Sequence, residues 1–260
     1  DNPNLPVTTK TIRRVFLAPT SRGTISSLLY EAWVEENARK VADASGGKLG
    51  YIHIPSMNQD GVNRFTRALY SDNFKKDGII IDVRFNGGGY THEQILNYLG
   101  SKEHTIFHHR QGPKGLVLRA YDRKWTKPVV LLINNRSYSD AEIFPNAFRT
   151  LSLGKIVGAP TGGFVIGTSS RRLIDGSSFR VPRIGVFTSK GINMEKEGVR
   201  PDVLVENLPD DLAQGKDAQL SKAVDVLRSS VLLDREKKGE LTGKAPKGSS
   251  TGEKGSSTKK

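Results

Sequence analysis

The sequence predicts an α/β fold in which a largely parallel sheet is flanked by helices. Short apolar runs of strand length alternate with longer segments whose apolar residues recur at helical spacing. Residues 79–85 begin with three consecutive isoleucines, which is typical of a parallel strand buried on both faces. Asp175-Gly176 separates two further strand-like runs and predicts one antiparallel hairpin in addition.

The first half of the chain predicts three helices and three strands. A helix capped by Ser26 or Ser27 should end at Gly46-Gly47, because serine is a preferred cap at the start and glycine at the end. Two more helices are expected over residues 62–74 and 92–99, and strands over residues 11–17, 50–54 and 79–85.

The second half begins with residues 102–127, which are polar and irregular and predict a mobile, partly exposed loop. Strands are expected at residues 129–133 and 155–157, and the hairpin over residues 171–174 and 178–181. Residues 217–233 predict an amphipathic helix. Residues 234–260 are rich in Lys, Gly, Ser and Thr, so we expect a disordered basic tail.

Composition excludes several classes of protein. The length of 260 residues favours one domain with appendages. No apolar run approaches the roughly 18 to 20 residues of a membrane helix, and the amino terminus lacks a signal-peptide pattern. The absence of cysteine excludes disulfides, thiolate metal sites and a cysteine nucleophile. We therefore expect a cytoplasmic protein without a metal or a cofactor, and no membrane partner.

The formal net charge of +13 raises the possibility of nucleic-acid binding. Eight Lys or Arg and three Glu between residues 235 and 260 contribute five of these charges. The other basic residues are scattered, and neither zinc-finger spacing nor a basic stripe interleaved with aromatic residues occurs. A weak attraction to polyanions follows, but no specific nucleic-acid partner is expected.

Ser139 and Asp140 lie where the strand at residues 129–133 gives way to a helical pattern. A serine at a helix start lies beside unpaired backbone N–H groups and the positive end of the helix dipole. This environment suits a nucleophile whose attack creates an oxyanion. The alternative is that Ser139 only caps the helix, which is the commoner role of serine at this position.

The loop Asn86-Gly87-Gly88-Gly89 follows the isoleucine-rich strand. Its glycines permit positive φ and could present bare N–H groups to an anion. The spacing fits neither a P-loop nor a dinucleotide-binding fingerprint, and a simple tight turn remains an alternative. His53, in the preceding strand, is expected to be a hydrogen-bonded core residue rather than a catalyst.

Six motifs occur in the order typical of one family. They are GYIHIPSM, IIIDVRFNGGGY, NNRSYSDAEIF, TGG, RRLIDG and MEKEGVRPDV. Together they resemble the tail-specific serine protease family, most closely the carboxy-terminal catalytic subdomain of its tricorn-type members, over residues 28–233. The resemblance implies a ClpP/crotonase-like ββα core. It divides the chain into a linker with the last strand of a truncated PDZ-like domain (1–24), the catalytic subdomain (25–233) and the tail (234–260).

The resemblance also implies roles for four residues. Ser139 matches the nucleophile, and the backbone N–H groups of Asp140 and Gly89 match the oxyanion hole. Glu195 matches the glutamate that orients the catalytic groups through a hydrogen-bonded serine. Glu197 is a competing candidate by residue type, but its offset from Gly198 does not fit the family motif.

The general base is missing from the pattern. In tricorn-type members a histidine next to a serine supplies it from a preceding helical subdomain, and none of the five histidines here is adjacent to a serine. The Ser-Lys members place a lysine in a stretch that corresponds to residues 161–168, which include no lysine. We therefore expect upstream helical and PDZ-like subdomains of the same protein to complete the site.

The predicted function is a serine endopeptidase that cleaves oligopeptides through an acyl-enzyme at Ser139, within a homo-oligomer. The family's aspartate for basic side chains has no counterpart in the loop at residues 104–115, so a preference for acidic or C-terminal carboxylate groups is a hypothesis. One alternative is an inactive scaffold or peptide-binding module. Another is an acyl-CoA-binding crotonase-like enzyme, which would have no use for Ser139.

Overall fold

The computed structural model describes residues 19–100, 103–108, 114–119 and 124–238. Side chains are described in these ranges except between residues 103 and 119. The predicted strand at residues 11–17 lies outside them, as does the tail from residue 239 onward. No helix among the described residues is long and apolar enough to cross a bilayer.

Nine strands and six helices are described, and their bounds are as follows. The strands are β1 (Leu49–His53), β2 (Gly78–Asp82), β3 (Glu103–His108), β4 (Lys114–Arg119), β5 (Val129–Ile133), β6 (Gly154–Gly158), β7 (Gly167–Arg172), β8 (Ser178–Ile184) and β9 (Val203–Leu204). The helices are α1 (Arg22–Ser45), α2 (Gln59–Tyr70), α3 (His92–Leu96), α4 (Asp140–Thr150), α5 (Pro209–Ala213) and α6 (Ala218–Lys237).

A five-stranded parallel sheet is the centre of the fold, with strand order β1-β2-β5-β6-β9. Alternate residues of β1, β2 and β5 enter two different cores, because successive side chains point to opposite faces. One core packs against α2, α3 and α4, and the other against α1 and α6. The predicted α/β class, with a largely parallel sheet flanked by helices, is confirmed.

Two helices begin earlier than predicted because of their polar caps. Helix α1 starts at Arg22, where the Ser21 hydroxyl accepts a hydrogen bond from the Thr24 amide at 3.1 Å, so Ser26 and Ser27 lie inside the helix. Helix α2 starts at Gln59, where the Asn58 side chain accepts from the Gly61 amide at 2.8 Å. In both cases an earlier cap satisfies the first free N–H groups.

The prediction of a loop over residues 102–127 is wrong for the centre of that segment. Strands β3 and β4 form an antiparallel pair there, with Ile106 opposite Val117. The short apolar centres of the two strands are flanked by polar residues, which concealed the pattern. The hairpin around Asp175-Gly176 is confirmed, but β7 and β8 are longer than predicted and a wider turn joins them, closed by the Leu173 amide donating to the Ser177 carbonyl at 2.8 Å.

The remaining differences concern ends of elements and short elements. Strand β2 and helix α3 are each three residues shorter at their carboxyl ends than predicted, and α2 ends at Tyr70. Helix α6 continues to Lys237, so the first residues assigned to the disordered tail are helical. Strand β9 and helix α5 were not predicted.

A buried ion cluster connects the sheet to α6. Arg84, just beyond β2, is 1% exposed, and its guanidinium binds the fully buried Asp82 at 2.7 Å and Asp217 at 2.9 Å. Burial raises the pKa of Asp82, but the Arg84 charge outweighs it and holds the pKa below its usual value. Asp217 also caps α6 by accepting from the Leu220 amide. The cluster therefore fixes α6 against the sheet.

Candidate active site

The chain segments that leave β1, β2 and β5 meet at the carboxyl edge of the sheet. Met57 follows β1, Gly89 follows β2 and Ser139 follows β5, and these strands are neighbours. Carboxyl edges of parallel strands are the usual ligand sites of α/β proteins, because loops from adjacent strands converge there. The fold thus brings the glycine loop and the serine together, although they are far apart in sequence.

Ser139 occupies a strained turn between β5 and α4. Its φ of 56° and ψ of −120° are costly for a residue with a side chain. Ser139 and Glu142 have the arrangement of a capping box, in which the Glu142 side chain accepts from the Ser139 amide at 3.2 Å. The Glu142 amide also donates to the main-chain carbonyl of Ser139 at 2.8 Å. A sharp strand-to-helix turn that presents a serine hydroxyl is the geometry of a nucleophile elbow. Both roles considered from the sequence, a cap of α4 and a nucleophile, are compatible with this turn.

The glycine loop packs against the serine turn too closely to carry side chains. A Cβ at Gly88 would lie 2.6 Å from the Cβ of Ser139, and one at Gly89 would lie 1.8 Å from the Met57 carbonyl oxygen. Both glycines also have positive φ. The Asn86 side chain holds the loop, because it accepts from the Gly88 amide at 2.8 Å and donates to the Ile54 carbonyl at 2.9 Å.

The backbone N–H groups of Gly89 and Asp140 have no hydrogen-bond acceptor among the described residues. The Met57 amide donates to the Gly88 carbonyl and the Tyr90 amide donates to the Met57 carbonyl, so the Gly89 N–H takes no part in this bridge and is directed away from Met57. Asp140 is the first residue of α4, whose leading N–H groups have no acceptor within the helix. Neither N–H donates a hydrogen bond to any residue that the structure describes.

The side chain of Glu142 organises the serine turn, and the sequence interpretation missed it. This fully buried carboxylate accepts four hydrogen bonds from two segments, the start of α4 and residues 161–164. One oxygen binds the Thr161 hydroxyl and the Gly163 amide, both at 2.6 Å, and the other binds the amides of Phe164 at 2.8 Å and Ser139 at 3.2 Å. A glutamate three residues after a serine at a helix start was the available signal.

Glu195 lies on the far side of the same loop. Its Oε2 accepts from the amides of Val165 at 2.9 Å and Ile166 at 3.1 Å, and it is partly buried. Glu197, the competing candidate, is exposed. Glu142 and Glu195 thus accept hydrogen bonds from successive amides of residues 163–166, so one loop is anchored by both carboxylates.

Ser139 and Glu195 line one pocket of about 530 Å³. This volume is within the range of ligand sites and can hold one or two residues of a peptide. The other lining residues are mostly apolar or aromatic, with two polar side chains from the β7–β8 hairpin: Gly87, Tyr138, Phe164, Ile166, Thr168, Arg180 and Pro182. The pocket therefore offers an apolar surface with few polar groups.

Neither of the two histidines whose side chains are described lines this pocket. His53 is buried, with Nδ1 at 2.9 Å from the Tyr30 hydroxyl and Nε2 at 3.0 Å from the Arg84 carbonyl, and burial lowers its pKa. The prediction of a hydrogen-bonded core histidine is confirmed. His92 pairs with Asp140, its Nδ1 lying 2.5 Å from Oδ1, and its amide donates to Oδ2 at 3.1 Å. The hydrogen bond to Asp140 raises the pKa of His92.

Among the residues whose side chains are described, no group of three or more His, Asp or Glu residues could hold a metal ion. The acidic groups at the site accept hydrogen bonds from backbone amides or pair with His92. The groups available for chemistry at the candidate site are therefore the Ser139 hydroxyl, carboxylates and free backbone amides.

Comparison with known proteins decides the family. A model of peptidase family S41 matches residues 48–205, which is more than half of the chain. The chain belongs to peptidase family S41.

The S41 relatives include tricorn proteases. Tricorn protease of Thermoplasma acidophilum is 40% identical over 201 residues, which are 76% of this chain and 18% of that protein. The carboxy-terminal processing protease CtpA of Bacillus subtilis is 29% identical over 176 residues, 65% of this chain and 37% of the relative. The crystal structure of the tricorn protease matches with a TM-score of 0.68 at 36% identity, covering 78% of this chain and 20% of the other.

These matches confirm the predicted family, a tail-specific and tricorn-like group of serine-type peptidases. The chain spans about a fifth of the length of the tricorn proteases that it matches. The S41 domain and the site described above lie in the matched segment, since Gly89, Ser139, Glu142 and Glu195 all fall within residues 48–205.

We expect Glu142→Gln to destabilise this S41 domain. The amide nitrogen of glutamine cannot accept hydrogen bonds, so two of the four donors lose their buried partner, and the free energy of unfolding should fall by about 1–3 kcal/mol. Urea denaturation measures the change. Glu197→Gln, at an exposed glutamate nearby, is the control and should match the parent. Equal stability of Glu142→Gln and the parent would contradict the role given to this carboxylate.

The pair of His92 and Asp140 predicts a pH-dependent contribution to stability. Because the pKa of His92 is raised in the folded protein, its contribution is complete below about pH 6.5, the ordinary histidine value, and is lost as the pH rises through the raised pKa. His92→Ala should therefore lie furthest below the parent at acidic pH and approach it at alkaline pH. Urea denaturation of both proteins across pH measures this difference, and a gap that widens with rising pH would refute the assignment.

Proposed function

We propose that this chain is the catalytic domain of a serine endopeptidase that cleaves oligopeptides through an acyl-enzyme at Ser139. The observation that carries the proposal is the position of Ser139 in a strained turn that lines the same pocket as Glu195. Membership of family S41 supports the assignment of a serine peptidase domain.

The reaction would begin with attack of the Ser139 Oγ on the carbonyl carbon of a peptide bond. A base takes the hydroxyl proton, because a neutral serine is a weak nucleophile. The carbonyl oxygen gains the negative charge and lies against the N–H groups of Gly89 and Asp140, where the dipole of α4 adds to their effect. The amine leaves with a proton, and water then hydrolyses the ester on Ser139.

Glu195 would act as an orienting residue rather than as the base. Its Oε2 already accepts two amides, which hold the carboxylate in a fixed position. The other oxygen is available to a hydroxyl group, in agreement with the family role of a glutamate acting through a serine. A fixed acceptor of this kind would orient that hydroxyl toward the reacting atoms.

We propose that the general base comes from the same protein, upstream of the catalytic subdomain. Neither described histidine side chain lines the pocket, and the tricorn relatives are about five times as long as the segment matched here. The residues before α1 would then link the catalytic subdomain, which ends with α6 at Lys237, to PDZ-like and helical subdomains. A homo-oligomer and a cytoplasmic location stay predictions.

The second candidate function is a catalytically inactive scaffold or peptide-binding module. One observation favours it, namely that neither of the described histidine side chains lines the pocket beside Ser139. In that case the pocket beside Ser139 would bind a peptide without cleaving it. The two functions differ in the reactivity of one hydroxyl group.

Labelling with a fluorophosphonate probe separates the two functions. The endopeptidase proposal predicts one phosphonyl group on Ser139, because the free amides stabilise the oxyanion formed by attack on the probe as they would that of a peptide. Intact-mass analysis and peptide mapping locate the label.

Two variants control the labelling experiment. Ser139→Ala should remove the label, and Ser189→Ala, at an exposed serine outside the pocket, should keep it. A label that persists in Ser139→Ala contradicts the proposal, and a complete absence of label favours the inactive module.

A further inference from the structure

One wall of the pocket beside Ser139 belongs to the β7–β8 hairpin. Thr168 of β7 and Arg180 and Pro182 of β8 line the pocket, and Thr168 lies opposite Pro182 in the ladder. Residues two apart in a strand share a face, so Arg180 and Pro182 point to the same side. The hairpin thus turns one face, with Arg180 on it, toward the serine.

Arg180 is held in position without being neutralised. Its Nε and Nη2 donate to the Thr168 hydroxyl at 3.1 and 2.8 Å, which fixes the plane of the guanidinium. No carboxylate of the described residues lies within ion-pair distance of it. A guanidinium presents its donors as a planar fork that matches the two oxygens of a carboxylate. Arg180 is therefore an oriented cation with free donors.

The charges around the pocket favour an anionic ligand at this wall. Glu195 is the other charged residue that lines the pocket, and its Oε2 already accepts two amides. The hairpin from residue 167 to residue 184 carries four arginines and one acid. That acid, Asp175, lies at the turn and accepts from the amide and hydroxyl of Ser177. The potential at the hairpin wall is thus positive.

We propose that Arg180 binds a carboxylate of the peptide that occupies the pocket. The carboxylate is either an acidic side chain close to the scissile bond or the C-terminal carboxylate of a short peptide. The inference rests on the proposed function of Ser139 and adds the class of substrate to it. The sequence suggested a preference for carboxylates from the loop at residues 104–115, whereas the proposed binding residue, Arg180, lies on strand β8.

The test measures binding in a Ser139→Ala background, so that cleavage does not interfere. Fluorescein-labelled peptides that differ only in Glu or Gln at one position, each with a free or an amidated C-terminus, are titrated by fluorescence anisotropy. Arg180→Gln is compared with Arg183→Gln. Arg183 donates to Ser169, the neighbour of Thr168 on the opposite face of β7, so both variants remove one charge from the same strand but only one removes it from the pocket.

The expected result is about tenfold weaker binding of the carboxylate-bearing peptide by Arg180→Gln, the lower range for a charge-assisted hydrogen bond at a solvent-accessible site. Arg183→Gln should bind as the background protein does. The neutral Gln peptide with an amidated end should be unaffected by either variant. The peptide of the series that loses affinity identifies the source of the carboxylate as side chain or C-terminus.

Equal losses of affinity in the two arginine variants would overturn the inference, because the overall positive charge of the hairpin would then explain the binding. A preference for the neutral peptide, or no binding of any peptide, would also overturn it. Fluorophosphonate labelling of the Ser139 protein keeps the two proposals distinguishable. If the protein is labelled but shows no preference for carboxylates, the peptidase proposal stands and the role of Arg180 is refuted. If it is not labelled but Arg180→Gln weakens carboxylate binding, Arg180 acts in a peptide-binding module.

Discussion

The buried carboxylate of Glu142 is the constraint on which the candidate site depends. It accepts hydrogen bonds from the start of α4 and from residues 161–164, so the serine turn and the loop that holds Glu195 share one anchor. A buried charge without a cationic partner is tolerated only when its lone pairs are satisfied, which requires all four donors at once. The strained backbone of Ser139 is therefore maintained by contacts several residues away from the hydroxyl that it presents.

The second constraint is the close approach of three backbone segments at the carboxyl edge of the sheet. The neighbouring strands β1, β2 and β5 deliver Met57, the glycine loop and Ser139 to one edge, and only residues without a Cβ fit at positions 88 and 89. Such packing leaves amides unpaired because side chains that could accept from them are excluded. Rigid strands, an anchored helix start and two obligate glycines bring the glycine loop to the serine turn. In the proposed peptidase, the N–H groups of Gly89 and Asp140 would form the preorganised site that stabilises an oxyanion.

Much of the fold and of the candidate site was predictable from local sequence patterns. The remaining features depend on contacts between residues that are distant in sequence. The isoleucines of β2, the apolar run of β5 and the serine at the start of α4 each have a signature within a few residues. Of the four hydrogen-bond donors to Glu142, only Ser139 is close enough in sequence to be recognised from a local pattern. The other three lie 19 to 22 residues further along the chain. The ion cluster of Arg84 with Asp217 spans 133 residues. Strands β3 and β4 were missed because their pairing, not their composition, makes them strands.

The central claim is that the N–H groups of Gly89 and Asp140 converge on the oxygen that would carry negative charge. A crystal structure of the protein after reaction with a fluorophosphonate tests it most directly, because the phosphonyl oxygen imitates the oxyanion. We expect that oxygen to lie about 2.7–3.1 Å from both amide nitrogens, with phosphorus bonded to Ser139 Oγ. A phosphonyl oxygen directed to solvent, or a Gly89 amide bonded elsewhere, would contradict it.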